Sequence, residues 1–493
     1  TLAQYPNLRL LPRTTAFAYW DHNFVSLCEK VTDHLADKPK HLPRQRLWKV
    51  RAKQVVLATG ALERPLVFQD NDRPGIMLAG AAQTYLNRYA VKPGNRGIVF
   101  TNNDGGYEAA IDLADAGVAI TVLDCRDMPE GANYHAAKTA GLNIRAGKVI
   151  VGTKGSKRVE KALIADLGSG GDRALGQVEE LDVDFIASSG GWNPTVHLFC
   201  QSKGKLEWRD DIASFVPGEP MQKAQASVGA ANGAFGLKDA LAEGFVAGAK
   251  LAAASGLGKA AKPTKAPDAP NGSHLPLQPL WLVPSTEPLG RKGKHFTDFQ
   301  NDVTAADLKL ALREGYRSVE HVKRYTTTGM ATDQGKIGNV NALGIVADVQ
   351  GKTIPEIGVT TFRPPYTPTT FGIFMGRDAD DLLDPARTTP MHSWHQRAGA
   401  QFEDVGQWKR AWYYPKDGED LHAAVNREIA AVRRSLGVLD ASTLGKIDIQ
   451  GPDAAEFLNR IYTNAWKKLD IGKARYGLML KEDGMVMDDG VTT

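Results

Sequence analysis

The stretch from His321 to Lys336, with the sequence HVKRYTTTGMATDQGK, gathers many hydrogen-bond donors in a short window of low apolar content. Two adjacent cations, Lys323 and Arg324, precede three threonines, a glycine and a glutamine. Cations, hydroxyls and amides are the groups that bind phosphate oxygens. The same residues are also typical of a solvated helix end, where threonines bond to the local backbone. The stretch therefore predicts either a site for a phosphorylated cofactor or an ordinary helix end.

Near the end of the sequence, Asp488 and Asp489 form a second candidate for chemistry. A carboxylate can stabilise positive charge on a reacting amine, although Asp-Asp-Gly is also a common hairpin turn. His392 and His395 have the spacing of two ligands on one helical face, but the sequence shows no third ligand beside them. Zinc sites need at least three protein ligands, so we predict no metal.

Length and composition describe an ordinary globular protein. The chain has 493 residues, of which 42% are hydrophobic and 24% are charged, and at ~100–200 residues per domain this predicts several domains. The net charge is +4 and we interpret the basic residues as dispersed, which argues against a nucleic-acid partner. No apolar run approaches the ~20 residues of a membrane span, so we expect no membrane association, and no signal peptide opens the sequence.

The cysteines and the chain ends give two further expectations. The three cysteines, Cys28, Cys125 and Cys200, include no C-x-x-C pair. Their spacing therefore predicts neither a redox disulfide nor a zinc cage, and it disfavours a disulfide reductase. Such sparse cysteine usage favours a cytoplasmic compartment. Thr1 is not an initiator residue, and the final MVMDDGVTT stops where a strand is under way. We therefore expect a piece of a longer polypeptide.

Two predicted strands end in small residues that let a ligand approach the backbone. The first, at 47–61, contains Ala-Thr-Gly near its end, and the second, at 181–194, contains Ser-Ser-Gly-Gly. Small residues at the carboxyl edge of a sheet are typical of nucleotide sites. Between them, residues 97–124 have the pattern of a strand, a helix and a strand. This order predicts an α/β fold with two nested dinucleotide-binding (Rossmann-like) domains, and it resembles the flavoproteins that contain two such domains.

The inner nucleotide loop departs from the dinucleotide fingerprint. In TNNDGGYE, the residues Thr101, Asn103 and Gly106 stand at the three glycine positions of G-x-G-x-x-G, so only the last glycine is kept. Side chains at the other two positions would obstruct a pyrophosphate above the helix N-terminus. Asp124, at the end of the next predicted strand, still has the position of a ribose ligand. A structural role for this loop is favoured, and nucleotide binding stays open.

The fingerprint of the outer domain is expected to precede Thr1. The sequence retains a segment near Thr15, the Ala-Thr-Gly turn and the turn GAANGAFGL, which precedes a helix. A helix N-terminus can hold a phosphate or a ribose, and the alternative is that this turn is only a connector. The predicted dinucleotide contacts are Ala16, Ala58, Gly60, Ala230, Ala231, Phe235 and Leu237.

A proline-rich segment separates the two halves of the chain. Residues 263–288 contain seven prolines, which favour extended backbone over regular structure. Trp281 and Leu282 indicate that the second half of this segment packs on a surface. Beyond it, residues 304–315 predict a capped helix, and residues 318–325 predict a second helix that runs into the threonines.

Four long motifs carry a family resemblance over essentially the whole chain: ATGALERPLVFQDNDRPGIML, SSGGWNPTVHL, DFQNDVTAADLKLALREGYRSVEHVKRYTTTGMATDQGK and TFRPPYTPTTFGIFMG. They resemble the alpha subunit of the heterotetrameric sarcosine oxidases. In that family the alpha subunit holds NAD⁺, the beta subunit holds FAD, and an FMN that is covalently attached to beta lies at their interface. The resemblance implies the same cofactors here, with beta, gamma and delta subunits as partners and an amino acid as the small-molecule substrate.

A second resemblance begins at His392. The segments HSWHQRAGAQFEDVGQWKRAWYY, EIAAVRRSLGVLDASTLGKIDIQGPDAAEFLNRIYTN and GKARYGLMLKEDGMVMDDGV are similar to the opening of the glycine-cleavage aminomethyltransferase, or T-protein, a folate-binding fold. That resemblance implies tetrahydrofolate as a ligand. It carries the family's folate carboxylate onto Asp488, as the residue that holds the pterin during one-carbon transfer, and it places Tyr476 and Thr492 in the same pocket.

The resemblances assign the remaining contacts and the domains. The resemblance assigns the predicted dinucleotide contacts to NAD. A hydrogen-bond donor near the flavin would stabilise the reduced, anionic form of the flavin. The implied FMN contacts are Lys323, Arg324, Thr326, Thr327, Thr328, Gly329 and Gln334. The predicted domains are an outer NAD-binding domain at 1–95 and 181–255, an inner Rossmann-like domain at 96–180, a proline-rich linker at 256–290, a small α/β FMN-interface domain at 291–390 and the start of a folate-binding, aminomethyltransferase-like α+β domain at 391–493.

The implied function is that of a sarcosine oxidase alpha subunit. In the family reaction sarcosine is oxidised to glycine, O₂ is reduced to hydrogen peroxide, and tetrahydrofolate takes up the one-carbon unit as 5,10-methylenetetrahydrofolate. Amine oxidation belongs to the beta subunit, so hydride acceptance is assigned to no residue of this chain. Two alternatives stay open: a subunit of an N-methylglutamate dehydrogenase-type complex, and a non-catalytic scaffold that keeps NAD and folate as structural ligands.

Overall fold

The computed structural model describes residues 4–221, 224–256, 265–270, 272, 276–375 and 384–493. Within these residues the chain has a mixed α/β fold. It divides into two compact units, Thr1–Phe374 and Met375–Thr493. No helix in the described part of the chain combines the length and the apolar character that crossing a membrane requires.

The first unit contains most of the strands and helices. Its strands are β1 Thr14–Tyr19, β2 Phe24–Lys30, β3 Gln45–Arg51, β4 Val55–Leu57, β5 Ala61–Glu63, β6 Ile76–Leu78, β7 Arg96–Thr101, β8 Ala119–Asp124, β9 Asn143–Ala146, β10 Lys148–Lys154, β11 Lys161–Leu167, β12 Ala174–Asp182, β13 Phe185–Ser189, β14 Trp192–Pro194, β15 Leu206–Arg209, β16 Ser214–Pro217, β17 Gln225–Ser227, β18 Phe296–Asp298 and β19 Val303–Thr304. Its helices are α1 Ala79–Tyr89, α2 Gly106–Asp115, α3 Ala132–Thr139, α4 His197–Gln201, α5 Leu237–Ala254, α6 Ala305–Arg313, α7 Val319–Thr326, α8 Asn339–Gln350, α9 Ile354–Ile357 and, ending just past the boundary, α10 Gly372–Met375.

A five-stranded parallel sheet in the order β6-β13-β7-β8-β9 forms the inner α/β layer. Its central strands read as continuous apolar runs because both faces are covered: Ile98 and Phe100 join one core cluster and Val99 joins another. The sheet extends past the predicted inner segment 96–180. Strand β13 is fully buried and pairs with both β6 and β7, so strands assigned from sequence to the outer domain belong to this sheet.

The outer elements pair differently from the single strand predicted at 47–61. The structure breaks that segment at Ala52–Gln54, because β3 joins an antiparallel sheet in the order β1-β2-β3 whereas β4 pairs in parallel with β17. The Ala-Thr-Gly turn therefore follows β4, and the turn of GAANGAFGL follows its neighbour β17. Two strands that run in parallel place both turns at the same edge.

Helices α6, α7 and α8 share a hydrophobic core with the second half of the proline-rich segment. Helix α6 begins with a capping box in which Thr304 and Asp307 satisfy each other's backbone N–H groups. Trp281 and Leu282 pack against this core, and Leu280 and Val283 are buried in the core of the inner sheet. This packing agrees with the expectation for the second half of the segment, whereas residues 257–264 lie outside the described residues.

The second unit is smaller. Its strands are β20 Arg387–Thr388, β21 Gln401–Val405, β22 Trp408–Tyr413, β23 Arg475–Leu480 and β24 Val486–Thr492, and its helices are α11 His392–Arg397, α12 Leu421–Arg434 and α13 Ala454–Ile461. Strands β20, β22 and β21 form one sheet, and β23 and β24 form an antiparallel hairpin. His395 bonds to the Tyr414 hydroxyl at 2.6 Å and to Asp440 at 2.9 Å, and the ring of His392 packs on Phe402.

Candidate functional site

The carboxyl ends of β4 and β17 form the first candidate site. Ala58 follows β4, and Gly60 has a φ of +73°, a conformation that favours glycine. Ala230 and Ala231 lie in a short 3₁₀ turn after β17. The turns at the end of the two neighbouring strands therefore present small residues along one edge.

Helix α5 starts at the same edge. Its N-cap is Gly236, which has no side chain to cap the first backbone N–H groups, and Leu237 is largely exposed. Glu243, almost two turns further along, accepts a hydrogen bond from the backbone N–H of Gly229 at 2.8 Å and fixes the turn to the helix. Ala16 lies on β1 and packs against the buried cluster that includes Leu57. The N-terminus of this 18-residue helix has no side-chain cap and suits a phosphate or a ribose, and its first turn also contains the exposed carboxylate of Asp239.

The corresponding loop of the inner sheet has its polar groups already paired. The side-chain hydroxyl of Thr101 accepts from the Asn103 N–H at 3.1 Å, and the Asn103 Oδ1 accepts from the Gly105 N–H at 2.8 Å. The Asp104 carboxylate, which is buried, accepts from the backbone N–H groups of Asn133 and Tyr134. The Asp104 carboxylate therefore caps the first turn of α3, and the N–H groups of Asn103 and Gly105 are bonded within the loop that leads into α2.

Asp124, the predicted ribose ligand, is also engaged. It is fully buried and accepts from the Tyr107 hydroxyl at 2.7 Å and from the Arg126 guanidinium at 2.7 Å. Arg126 in turn donates to the carbonyl of Pro276 at 2.8 Å. Both charged groups thus belong to an internal network.

The proline-rich segment covers the inner crevice. Gln278 and Asn102 exchange two hydrogen bonds, one from the Gln278 N–H to the Asn102 carbonyl and one from the Asn102 side chain to the Gln278 carbonyl. Leu277 pairs with Asn103 in an isolated bridge, and its side chain reaches the position that a Cβ on Gly191 would take. The chain itself fills this crevice, which agrees with the structural role that the altered fingerprint favours.

The donor-rich stretch spans the end of α7 and the loop before α8. Many of its predicted FMN donors make local bonds: Thr326 Oγ1 donates to the Val322 carbonyl, Thr327 Oγ1 to the Thr326 carbonyl, Lys323 Nζ to the Thr361 carbonyl, and Gln334 Nε2 to the Ala331 carbonyl. The Gly329 N–H donates to the Asp298 carboxylate at 2.7 Å, and Thr328 is buried. The stretch is therefore partly a satisfied helix end.

Three cations nevertheless converge here. Burial lowers the pKa of Lys323, and the charges of Arg363 and Arg324 lower it further, against the opposing charge of Glu320. Lys336 lies further along the same loop, with its Nζ 4.7 Å from the centre of the Tyr366 ring. Arg324 already pairs with Glu320 at 2.6 Å, but the three cations outnumber this one carboxylate, so the group suits an anionic ligand. The sequence analysis missed Arg363 and Lys336, although Lys336 closes the quoted stretch and Arg363 stands in the motif TFRPPYTP.

An apolar cleft of about 300 Å³ borders the same loop. It opens at the carboxyl ends of β6 and β13, and Phe299 and Ile337 form its wall on the side of the loop. Volumes of this size accommodate small organic ligands. The loop contributes Ile337 to this cleft, whereas the predicted FMN donors lie outside its lining.

The predicted folate residues all lie on the hairpin of β23 and β24, but on both of its faces. Asp488 pairs with Met479, Thr492 pairs with Arg475, and Tyr476 pairs with Val491. Because side chains alternate along a strand, Asp488 and Thr492 share one face and Tyr476 lies on the opposite face. The hairpin therefore places Asp488 and Thr492 on one face and Tyr476 on the other, and their joint pocket stays a prediction. The face of Asp488 includes Gly477, which packs directly on Trp466.

The fold and these sites define a mixed α/β chain with an edge of small residues after two parallel strands, a cation-rich helical region and a second unit. Residues 292–377 match the family model of the sarcosine oxidase A3 domain, and residues 391–493 match that of the GCVT N-terminal domain.

Curated relatives extend this match along the chain. Sarcosine oxidase subunit alpha from Corynebacterium sp. (strain P-1) is 50% identical, and the match covers 98% of this chain and 50% of that relative. The subunit from Rhizobium meliloti (strain 1021) is 43% identical, and the match covers 100% of this chain and 48% of that relative. The resemblance to sarcosine oxidase alpha subunits is thereby confirmed over nearly the whole chain, which spans about half the length of these relatives.

Two more distant matches agree with the separate parts. A probable aminomethyltransferase from Halobacterium salinarum (strain ATCC 29341 / DSM 671 / R1) is 38% identical over 21% of this chain and 27% of that protein. Among solved structures, L-proline dehydrogenase from P. horikoshii covers 73% of this chain and 64% of its own, with a TM-score of 0.51 at 20% identity. That similarity supports the mixed α/β fold.

Proposed function

We propose that this chain acts as the alpha subunit of a sarcosine oxidase complex with beta, gamma and delta subunits. The observation that carries the proposal is the 50% identity to such a subunit over 98% of the chain. It is supported by the match of residues 292–377 to the A3 domain, which contains the cation-rich stretch.

NAD⁺ is proposed to bind where β4 and β17 end. The small residues Ala58, Gly60 and Ala230 allow close approach, and the uncapped start of α5 offers N–H groups to a phosphate or ribose. Ala16, Ala231, Phe235 and Leu237 complete the proposed contacts. The inner crevice is not proposed for this role, because residues 276–278 lie against its loop.

FMN is proposed to lie against the donor-rich stretch, shared with the beta subunit. Arg324, Arg363 and Lys323 supply the positive charge that a phosphate needs, while Thr326, Thr327, Thr328, Gly329 and Gln334 shape the loop around it. When bound, the flavin supplies electron-transfer chemistry between the FAD of the partner subunit and oxygen. The residues of this chain hold and orient it, and cations near a flavin stabilise its reduced, anionic form.

The second unit is proposed to receive the one-carbon unit on tetrahydrofolate. Asp488 is the proposed carboxylate that holds the pterin and stabilises positive charge on the reacting nitrogen. Thr492 lies on the same face of the hairpin as Asp488, so we propose that both residues contact the same part of the folate. Tyr476, on the opposite face, is proposed to contact another part of the ligand. The overall reaction converts sarcosine, O₂ and tetrahydrofolate into glycine, hydrogen peroxide and 5,10-methylenetetrahydrofolate.

One observation favours a scaffold role for part of the molecule. The inner α/β domain has lost its fingerprint and contains its own chain in the nucleotide crevice, so that domain is proposed to act only as support. The dehydrogenase alternative differs from the oxidase in its electron acceptor, which the partner subunits determine.

The test is native mass spectrometry of the complex isolated from its source, followed by denaturation and absorbance spectra of the released ligands. We expect a four-subunit complex that releases NAD⁺ and FAD and retains a protein-bound FMN. A single chain without flavin would contradict the proposal. Hydrogen peroxide formed in step with sarcosine consumption separates the oxidase from a dehydrogenase.

A further inference from the structure

The segment Asn193–His197 touches both proposed cofactor sites. Its Thr195 N–H donates to the Gly60 carbonyl at 2.9 Å, and the Thr59 hydroxyl donates to the Thr195 carbonyl at 2.9 Å. These two bonds fix the Ala-Thr-Gly turn that forms the proposed NAD edge. A change in the backbone of that turn when NAD⁺ binds would therefore shift Thr195.

The same segment holds the loop of the donor-rich stretch. His197 Nε2 lies 2.9 Å from the Gln334 carbonyl, and the Asn193 side-chain amide donates to the Lys336 carbonyl at 3.3 Å. His197 is 4% exposed, and its ring packs 4.2 Å from that of Phe362. Two side chains from the dinucleotide-binding half therefore support carbonyls two residues apart in the loop.

The supported turn has a backbone that needs such contacts. Gln334 has a φ of +51° and Gly335 a φ of +69°. The left-handed region is unfavourable for a non-glycine residue, and such conformations persist only where the surroundings enforce them. The bonds from His197 and Asn193 thus fix how Gln334 and Lys336 are presented.

The hydrogen-bonding state of His197 follows from its surroundings. A carbonyl can only accept, so Nε2 carries the proton and Nδ1 does not. Burial lowers the pKa of His197 to about 4, and the charge of Lys336 also lowers it, whereas the bond to Gln334 raises it. The ring is therefore neutral from about pH 5 upward and its bond to the loop does not vary with pH in that range.

We propose that Asn193–His197 couples the two sites, so that a dinucleotide bound after β4 orders the Gln334–Lys336 turn, with His197 as the positioning residue that transmits the effect. The proposal rests on the proposed NAD and FMN sites. It adds that NAD⁺, besides filling its own site, regulates the shape of the flavin loop. Coupling through a contiguous hydrogen-bonded segment typically changes affinity or protection about 5–150-fold.

Two variants of His197 isolate the transmitting bond. His197→Phe keeps a planar ring between Phe362 and Tyr366 but removes the donor, and His197→Gln keeps an N–H donor in a flexible side chain. Asn193 is unsuitable because its Oδ1 accepts from the buried guanidinium of Arg64 at 2.8 Å, and a substitution would also remove this bond.

The experiment is hydrogen–deuterium exchange on the intact complex, stripped of NAD⁺ and then supplied with it. We expect NAD⁺ to slow exchange at residues 58–60 and 229–237 in all three proteins. At residues 327–338 it should slow exchange about fivefold or more in the wild type and in His197→Gln, and have no effect in His197→Phe.

Each other outcome is informative. Protection at 58–60 without any effect at 327–338 in the wild type would overturn the coupling while leaving the NAD site intact. Full coupling in His197→Phe would show that packing, rather than this bond, carries the effect, and would remove the role of His197. The absence of protection at 58–60 and 229–237 would overturn the NAD site itself. If a variant fails to assemble, the wild type with and without NAD⁺ still tests whether the two sites are coupled.

Discussion

The outer edge after β4 and β17 and the inner crevice after β7 and β13 have the same topological position, at the carboxyl ends of parallel strands, but opposite contents. The outer edge presents alanines, a left-handed glycine and a helix start that has no side-chain cap and whose first-turn carboxylate, Asp239, is exposed. The inner crevice contains the buried carboxylates Asp104 and Asp124 and is covered by residues 276–283. Topology provides a place for a dinucleotide, and the availability of N–H groups and space decides whether one binds.

The largest effect is expected from breaking the inner ion pair. Arg126 and Asp124 are 2.7 Å apart and almost fully buried. Arg126→Leu leaves the Asp124 carboxylate without its cation, and removal of one partner of a buried pair costs about 3–5 kcal/mol of unfolding free energy. Urea denaturation measures this loss, and NAD⁺ affinity of the folded protein should be unchanged.

The matched control is Arg145→Leu. Arg145 pairs with Glu179 on the surface, where that glutamate is half exposed, so its loss should cost less than about 1 kcal/mol. If Arg126→Leu were no more destabilising than Arg145→Leu, or if it weakened NAD⁺ binding, the distinction between the two regions would fail.

The pH dependence of stability should report on Glu63, which lies in β5 and bonds to the Gly80 N–H at 2.7 Å. Burial raises the pKa of Glu63 to about 7. Because the folded state holds this proton more tightly than the unfolded state, stability is greatest below the unfolded pKa and falls as pH rises toward 7. In Glu63→Gln the unfolding free energy should fall by about 2–3 kcal/mol less over this pH range than in the wild type.

The measurement is the unfolding free energy of both proteins from pH 4.5 to pH 8. The variant should match the wild type at the acid end and exceed it above pH 7. Parallel curves for the two proteins would mean that Glu63 does not bind its proton more tightly in the folded state.

At the outer edge, a new carboxylate should weaken the dinucleotide. Ala230→Asp places a negative charge where the proposed NAD⁺ phosphates approach, and a repulsion of about 2 kcal/mol raises the Kd about 30-fold. Isothermal titration of NAD⁺ into the stripped complex measures it. Ala252→Asp, on an exposed position near the other end of α5, should leave the Kd unchanged, and equal effects from both would argue against this edge.

The smallest effect is expected from the cover of the inner crevice. Asn102→Ala removes the bond from the Asn102 amide to the Gln278 carbonyl at 2.9 Å, at a cost of about 1–2 kcal/mol. Hydrogen exchange should rise at residues 276–283 and no second NAD⁺ should bind. Appearance of a second dinucleotide would show that the segment only masks a working site.

Sequence patterns predicted the elements that depend on local chemistry. Helix α6 with its Thr304 cap and strand β8 at 119–124 lie where the patterns placed them, because capping and apolar periodicity act over a few residues. The neighbours of a strand are set by distant segments, so the membership of β6 and β13 in the inner sheet was not predictable from their own residues.

The same limit applies to the sites. The altered inner fingerprint at Thr101 and Asn103 predicted a structural loop from two residue types, and the structure agrees. The contribution of Arg363 could not be predicted from spacing, because it reaches Lys323 only through the folding of residues 327–362. The period of two along β23 and β24 would have separated Tyr476 from Asp488 had the strand pairing been known.

The basic residues are not dispersed evenly along the chain, because one segment concentrates them. Residues 37–53 contain seven lysines and arginines against one aspartate, while the whole chain has a net charge of +4. The excess positive charge therefore lies in the β2–β3 connection and β3, and the remainder of the chain is slightly acidic.

The most direct test of the account is the amount of NAD⁺ released on denaturing the purified complex, measured per copy of this chain in the wild type and in Ala230→Asp. The account predicts one NAD⁺ per chain in the wild type and a large loss in the variant after dialysis. Two NAD⁺ per chain, or one that is retained unchanged by Ala230→Asp, would contradict the assignment of an open outer site and a self-filled inner one.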